Sequence, residues 1–157
     1  MDLKAYIETQ KVRRVGHRKP VTVTPEATVA ETAALMRRRS VGCVLVEEDG
    51  RLRGIFTERD LLRKVLAKSG GASMEDPIEK VMTPDPVVVR TNDALVVLLR
   101  RMKDGGFRHL PLLGADERLV GTISIKRVIS FLADQFAEMV YTLPPQPENF
   151  GTRREGA

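Results

Sequence analysis

The sequence of 157 residues repeats itself with a period of 66 to 67 positions. Met36 has its counterpart in Met102, 66 positions later, and Gly54 has its counterpart in Gly121, 67 positions later. The additional residue of the second copy lies in the turn Gly114-Ala115-Asp116, where an insertion is easily accommodated. Such self-similarity predicts two copies of one structural unit, which excludes most folds open to a chain of this length.

Both copies show the same order of predicted elements: strand, helix, strand, strand, helix. A short alternating apolar run opens each copy, and Thr24 or Thr91 follows it as the predicted cap of an amphipathic helix. Two apolar runs joined by a polar turn then predict a β-hairpin. The closing helices are predicted over residues 58–67 and 126–136.

The length of the repeat bears on the domain organisation. Each copy has about 55 residues, which bury too little surface for a secure domain of their own. We therefore expect an α+β fold in which the two copies pack sheet to sheet around one core. Repeat 1 is assigned to residues 12–69, a linker to 70–77 and repeat 2 to 78–138. The Pro-rich segment 143–157 is predicted to be extended or disordered.

The charge balance indicates the kind of partner. The chain has 26 Lys and Arg against 21 Asp and Glu, for a formal net charge of +5. Such a surplus favours an anionic partner, either a nucleotide or a nucleic acid. Only 4% of the residues are aromatic, fewer than expected for a surface that stacks single-stranded bases.

Cysteine usage and hydropathy indicate the compartment. Cys43 is the only cysteine, so the chain forms neither an internal disulfide nor a zinc site built from several cysteines. No apolar run reaches the length of a membrane span, and the opening Met1-Asp2-Leu3-Lys4 lacks the apolar centre of a secretory signal. We therefore expect a cytoplasmic protein that does not contact the membrane.

Four motifs stand in order along the two copies. They are Gly54-Ile55-Phe56-Thr57-Glu58-Arg59-Asp60, Val81-Met82-Thr83-Pro84, Arg108-His109-Leu110-Pro111 and Leu119-Val120-Gly121-Thr122-Ile123-Ser124. Over about residues 12–137 they resemble a tandem pair of cystathionine-β-synthase (CBS) domains, a Bateman module, as in small stand-alone bacterial CBS-pair proteins. The resemblance implies two repeats related by pseudo-two-fold symmetry, with two clefts between them.

The resemblance also implies a function. The clefts of such pairs bind an adenosyl ligand: AMP, ADP, ATP, NAD or S-adenosylmethionine. The ligand would bridge the repeats and shift the population towards one arrangement, which a downstream protein reads. Pairs of this family commonly associate two by two, so a homodimer is expected, and no tightly bound metal is implied. The identity of the downstream partner stays open.

The main cleft is expected where the third strand of the first copy ends. Thr57 presents a hydroxyl and backbone N–H groups at a helix start, which suits a phosphate group. Asp60 can accept two hydrogen bonds from a ribose diol, and Arg59 can donate to a phosphate. With the residues that the resemblance adds from the second copy, the predicted nucleotide-binding set is Ile55, Thr57, Arg59, Asp60, Thr83, Pro86, Val87, Phe107, Arg108 and His109.

The second cleft departs from this pattern. Ser124 corresponds to Thr57, but Arg127 stands where the first copy has Asp60, and a guanidinium accepts no hydrogen bond from a diol. This cleft is therefore expected to be empty, to bind a nucleotide more weakly, or to hold a different anion. Its predicted residues are Lys19, Pro20, Val21, Val41, Gly42, Cys43, Ser124 and Arg127.

No catalytic machinery is recognisable in the sequence. It holds two His and one Cys, no cluster at metal-ligand spacing, no Gly-flanked nucleophilic Ser and no Walker loop. We therefore expect a regulatory binding module and not an enzyme. The alternative is a basic nucleic-acid-binding or scaffold protein without a small-molecule ligand, whose binding would weaken steeply with salt.

Overall fold

The computed structural model describes residues 2–142, so the predicted Pro-rich tail 143–157 lies outside the described residues. Within the described part the chain forms seven strands and five α-helices, besides two 3₁₀ turns and one π-helical segment. The strands are β1 Thr22–Val23, β2 Cys43–Glu48, β3 Arg51–Thr57, β4 Thr83–Pro84, β5 Val89–Arg90, β6 His109–Leu113 and β7 Leu119–Ser124. The helices are α1 Leu3–Thr9, α2 Val29–Arg39, α3 Glu58–Asp60, α4 Leu95–Gly105 and α5 Ile125–Thr142.

The strands form two separate sheets, one for each copy. The first sheet has the order β1-β2-β3-β4 and the second has the order β5-β6-β7. In both, the short first strand runs parallel to the second, and the next two form an antiparallel hairpin. The α2 and α4 helices make the parallel crossovers, which a tight turn cannot make. The predicted order of elements and the α+β class are confirmed.

The apolar residues sort into two main cores that repeat the internal symmetry of the sequence. The first core holds the buried residues Val29, Met36, Val44, Val46, Phe56, Ile78 and Val81. The second holds Val12, Val15, Val89, Leu95, Leu98, Met102, Leu110, Leu112, Ile123 and Val128. The members correspond at the offset of the sequence repeat, as with Met36 and Met102.

The two halves exchange the segments that precede them, which the sequence analysis does not foresee. Val12 and Val15 precede the first strand, yet they are buried in the core of the second sheet. Ile78 and Val81 open the second copy and precede its first strands, yet they are buried in the core of the first sheet. Each core is therefore completed by residues from the other half of the chain.

The exchanged segments also pair through their backbones with the edge strands of the two sheets. The β4 strand follows the linker but pairs antiparallel with β3, so that Thr83 lies opposite Ile55. In the other half, Arg18 forms the equivalent bridge with Thr122 of β7. Gly54 permits the close approach of β4, because a Cβ at this position would overlap the sulfur of Met82.

The predicted helix caps are wrong. The N-cap of α2 is Thr28, whose hydroxyl accepts from the Glu31 N–H, while the Glu31 carboxylate accepts from the Thr28 N–H. This reciprocal capping box lies four residues beyond Thr24. The α4 helix begins after Ala94, which offers no side-chain cap, and not after Thr91.

The closing helices also differ from their predicted bounds. After α3 the chain continues in π-helical turns over Leu61–Leu66, where the Ala67 N–H donates to the carbonyl of Leu62 five residues earlier. The helix ends at Leu66, because Ala67 is extended, and the chain then turns back so that Gly70 lies against the Lys64 carbonyl. The α5 helix meets no such segment and runs to Thr142, six residues past its predicted end.

A third, small apolar cluster joins the two sheets. Cys43, Leu45 and Ile55 of the first sheet are buried, and Leu119 of the second sheet packs against them. Thr122 of the second sheet lies beside the Cys43 thiol across the same boundary and lowers its pKa, in opposition to burial. The expectation that the copies pack sheet to sheet is confirmed.

Candidate ligand-binding cavities

A cavity of about 340 Å³ lies between the two copies, beside the junction of β3 and α3. All ten residues predicted for the main cleft line this cavity: four come from β3 and α3, and six come from β4 and the chain that follows it. These are Ile55, Thr57, Arg59, Asp60, Thr83, Pro86, Val87, Phe107, Arg108 and His109. The volume lies at the lower end of the range of small-molecule sites. That these residues bind a nucleotide stays a prediction.

Thr57 and Asp60 form a reciprocal capping box at the edge of the cavity. The backbone N–H of Thr57 donates to Asp60 Oδ2 at 2.9 Å, and the Thr57 hydroxyl donates to the same oxygen at 3.0 Å. The Asp60 N–H donates to Thr57 Oγ1 at 3.2 Å. The carboxylate is therefore held in one orientation by the start of the helix, with only 16% of the side chain exposed.

Lys64 holds the other oxygen of the same carboxylate. Its Nζ lies 3.0 Å from Asp60 Oδ1 and also donates to the Val81 carbonyl at 2.7 Å. Because each carboxylate oxygen has two lone pairs, Oδ1 retains one acceptor position beyond Lys64. Lys64 thereby connects the candidate ribose acceptor to the segment exchanged between the halves.

The opposite wall of the cavity comes from the end of α4. Gly106 ends this helix in the left-handed region, at φ 64°, and its neighbour Gly105 leaves room for the ring of Phe107. Arg59 donates to the Gly106 carbonyl at 3.2 Å and so bridges the two halves. This bond uses one of the five N–H donors of the guanidinium, so the predicted role as a phosphate partner does not require it to open.

A second cavity of about 1020 Å³ lies on the other side of the boundary between the copies. Of its eight predicted residues, Lys19, Val21, Val41, Gly42, Cys43, Ser124 and Arg127 line it. The prediction for Pro20 is wrong, since its neighbours Arg18, Lys19 and Val21 line the cavity and Pro20 does not.

Comparison with known proteins decides the family. The family model of the CBS domain matches residues 12–67 and again residues 78–134. This chain belongs to the CBS-domain family. The predicted tandem CBS pair is confirmed.

The relatives of this CBS pair include small and large proteins. An uncharacterised 17.7 kDa protein of Acidianus ambivalens is 32% identical over 125 residues, which make up 79% of this chain and 74% of that protein. A CBS-domain protein of Agrobacterium tumefaciens, known from its crystal structure, is 35% identical with a TM-score of 0.69, over 77% of this chain and 98% of the other.

A third relative carries a ligand. The CBS domain protein of Pyrobaculum aerophilum, solved in complex with AMP, has a TM-score of 0.70 over 82% of this chain and 99% of its own. At 22% identity this likeness concerns the fold alone.

Arg127 and Lys64 make equivalent contacts in the two halves of the CBS pair. The Arg127 Nε donates to the Val15 carbonyl at 3.3 Å, as Lys64 donates to the Val81 carbonyl in the first half. Gly16 lies under the guanidinium, and a Cβ there would come within 2.7 Å of Arg127 Nη2. The second half therefore has a cation at this carbonyl but no carboxylate to accept from a diol.

Four residues line both cavities and form a shared wall: Gly42, Glu58, Arg108 and His109. Burial lowers the pKa of His109, and the cations of Arg108 and Arg59 lower it further, while Glu58 raises it in part. Burial raises the pKa of Cys43 to about 12, so its thiol is neutral. Neither group has the protonation state of an activated nucleophile or a charged phosphate ligand at neutral pH.

Several residues of the first cavity were missed by the sequence analysis: Gly42, Glu58, Arg63, Asp85, Gly105, Leu110 and Pro111. Arg63 follows Asp60 by three positions, a helical spacing that could have identified it. Asp85 occupies a turn at φ 43° beside Pro86, where no regular pattern places its side chain. In the second cavity, the unpredicted cationic residues are Arg18, Arg37 and Lys126.

Within residues 2–142 no three His, Cys, Asp or Glu side chains gather as metal ligands would. Nor does any helix in that range combine the length and the apolar character that a membrane span requires.

Proposed function

We propose that this CBS pair is a regulatory module that binds an adenine nucleotide or another adenosyl ligand in the first cavity. The candidate ligands are AMP, ADP, ATP, NAD and S-adenosylmethionine. The observation that carries the proposal is the convergence of Thr57 and Asp60 with Phe107, Arg108 and His109 on one cavity between the repeats. The AMP complex of the Pyrobaculum aerophilum relative supports this ligand class.

The contacts of Asp60 indicate how a ribose would be accommodated. One ribose hydroxyl would donate to the free acceptor position of Oδ1. The second requires Oδ2, so the Thr57 hydroxyl would rotate away from its bond at 3.0 Å and become available to the ligand. The base would then pack on Ile55, and the phosphate would face Arg108 and the start of α3.

Ligand occupancy would be transmitted through the segments exchanged between the repeats. Asp60 touches Lys64, and Lys64 touches the carbonyl of Val81, which lies in the core of the first sheet. A ligand hydroxyl that shares Asp60 Oδ1 with Lys64 would change the strength of this contact and favour one arrangement of the repeats. A downstream protein would read that arrangement.

We further propose that two copies associate and act in the cytosol without a metal ion. The exposed apolar side chains Leu62, Ile129 and Phe136 lie on the closing helices of both repeats and offer a surface for pairing. Sedimentation analysis of the wild type against Leu62→Ser with Ile129→Ser tests the dimer. A sedimentation coefficient that the two changes leave unaltered would contradict this surface.

Titration calorimetry with AMP, ADP, ATP, NAD and S-adenosylmethionine tests the ligand. Asp60→Asn keeps the size of the side chain and one oxygen for the Thr57 hydrogen bonds but removes the negative charge. We expect it to weaken binding of the best ligand by about tenfold to a hundredfold. We expect 2′-deoxy-AMP to bind the wild type about tenfold more weakly than AMP, because one hydroxyl donor is lost.

The matched control is Asp104→Asn, on the exposed side of α4 outside both cavities, which should leave binding unchanged. The proposal fails if none of the adenosyl compounds binds. It also fails in its assignment of the site if Asp60→Asn and the wild type bind the ligand equally.

A further inference from the structure

The charges that line the second cavity are one-sided. Six basic side chains face it: Arg18, Lys19, Arg37, Arg108, Lys126 and Arg127. Glu58 is the only acidic side chain among its lining residues, and it stands in the wall shared with the first cavity. The first cavity, in contrast, has three acidic and three arginine side chains in its lining. The two cavities therefore differ in charge as well as in size.

The six cations come from distant parts of the sequence. Arg18 and Lys19 lie in the segment before β1, and Arg37 lies in the last turn of α2. Lys126 and Arg127 begin α5, which belongs to the other repeat. Only the packing of the two repeats gathers them around one space, so the cluster is a property of the folded CBS pair.

None of the six forms an ion pair with another residue of the described part of the chain. Arg127 donates to the Val15 carbonyl and Arg18 donates to the Ser40 carbonyl, and both acceptors are neutral. An arriving anion therefore gains these charges without breaking a salt bridge. The mutual repulsion of the cations also falls when the anion binds.

The chemistry of the lining defines the class of anion. No carboxylate stands at the position equivalent to Asp60, where the second cavity has Arg127, and its one lining carboxylate, Glu58, lies in the wall shared with the first cavity. A volume of about 1020 Å³ exceeds the space that a single phosphate group needs. Guanidinium and ammonium groups in this number match a chain of phosphate groups.

We propose that the second cavity binds a compact anion with several linked phosphate-type groups, and that this binding requires no ribose. The proposal deepens the proposed function and rests on it, because it assigns a second input to the same regulatory module. The first cavity would then respond to the concentration of an adenosyl compound, and the second to the concentration of an anion with several linked phosphate groups.

Titration calorimetry with inorganic tripolyphosphate tests the proposal on the full chain. The informative variant combines Lys19→Gln with Lys126→Gln, since both lysines are exposed and make no ion pair among the described residues. We expect the double variant to bind tripolyphosphate about tenfold more weakly than the wild type. Raising the salt concentration should weaken binding steeply.

The matched control combines Lys68→Gln with Lys103→Gln, which removes the same charge from exposed positions outside both cavities. It should change the dissociation constant by less than about twofold. Equal losses in the two double variants would overturn the site, because only the net charge would then matter. Failure of tripolyphosphate to bind the wild type would overturn the proposal outright.

A parallel titration with AMP distinguishes failure of the second site from failure of the proposed function. If AMP binds in an Asp60-dependent way and tripolyphosphate does not bind, the second site is refuted and the first stands. If tripolyphosphate binds in a lysine-dependent way and no adenosyl compound binds, the second site stands and the nucleoside role of the first is refuted. Melting temperatures of both double variants near that of the wild type establish that they fold.

Discussion

His109 stands at the centre of the wall that separates the two cavities. Its ring lies against Gly42, where a Cβ would come within 3.1 Å of the ring carbon Cε1. Burial lowers its pKa and outweighs the nearby Glu58 carboxylate, so the imidazole is neutral at pH 7. A phosphate group in either cavity would favour the imidazolium, and ligand binding there is expected to take up a proton.

The pKa of His109 predicts a pH dependence of stability. In the unfolded chain a histidine titrates near about 6.5, whereas in the fold it titrates lower. Between these two values the unfolded state binds more protons, so the free energy of unfolding falls as the pH falls below about 6.5. Urea titrations at pH 7.5 and 5.5 measure the loss, which His109→Gln should reduce. The exposed His17 provides the control, and an equal effect of His17→Gln would contradict the assignment.

Cys43 should react slowly with thiol reagents in the folded protein. Its pKa of about 12 leaves roughly a thousandfold less thiolate at neutral pH than an ordinary cysteine has, and the side chain is buried. Labelling with a disulfide reagent at pH 7.5, with and without urea, measures the rate at this single cysteine. Rapid labelling of the native protein would show that the boundary between the sheets opens readily.

At the scale of the element, the equivalent helices of the two repeats begin in different ways. The α2 helix carries a complete capping box at its start, whereas α4 begins after Ala94 without a side-chain cap. The α4 start is secured by the backbone, because the Leu95 N–H donates to the carbonyl of Gln10 in the exchanged segment. The Val29 N–H donates likewise to the Asp76 carbonyl, so both helix starts have a tertiary backbone contact and only α2 adds a local capping box.

The capping box of α2 predicts a measurable difference between two threonines. Thr28→Ala should lower the free energy of unfolding by about 1 kcal/mol, because it removes the acceptor for the Glu31 N–H. Thr24→Ala is the same chemical change at a position outside the helix and should cost less than about 0.5 kcal/mol. Urea unfolding of both variants makes the comparison. Equal costs would contradict the observed helix start.

At the scale of the whole molecule, the exchanged segments make the two repeats one folding unit. The first core lacks Ile78 and Val81 if the chain is cut in the linker, and the second core lacks Val12 and Val15 if the N-terminal segment is removed. Backbone pairing of β4 with β3 adds to this dependence. Cooperative unfolding of both repeats follows, since neither core is complete without the other half.

Ile78→Ala tests this exchange. Ile78 is fully buried in the first core, so the substitution should cost about 2–5 kcal/mol. Hydrogen exchange should show the first loss of protection in β2 and β3, although Ile78 begins the second CBS repeat of the sequence. Glu79→Ala at the exposed neighbouring position is the control. Loss confined to β6 and β7 would contradict the exchange.

Local patterns by themselves predicted the repeat, the order of elements and the part of the first cavity formed by Thr57, Arg59 and Asp60, while the family resemblance added its other predicted residues. The positions of Thr57 and Asp60 follow from a spacing of three residues at one strand–helix junction, and Phe107 was reached through the family pattern. Such spacings lie within one element, where the backbone geometry alone sets which side chains share a face. The same patterns placed the caps of α2 and α4 too early. Thr24 and Thr28 compete for the start of α2, and α4 begins after Ala94, which no capping pattern marks.

Tertiary structure alone decided the exchange of segments and the cationic second cavity. Apolar residues such as Val12 and Ile78 are recognisable as buried in any sequence, but periodicity does not say which of two similar cores receives them. Arg37 belongs to an ordinary basic helix end in the sequence, and it joins Arg127 at one cavity only after the repeats pack. Contacts across such distances depend on the path of the chain, because their members share no local pattern.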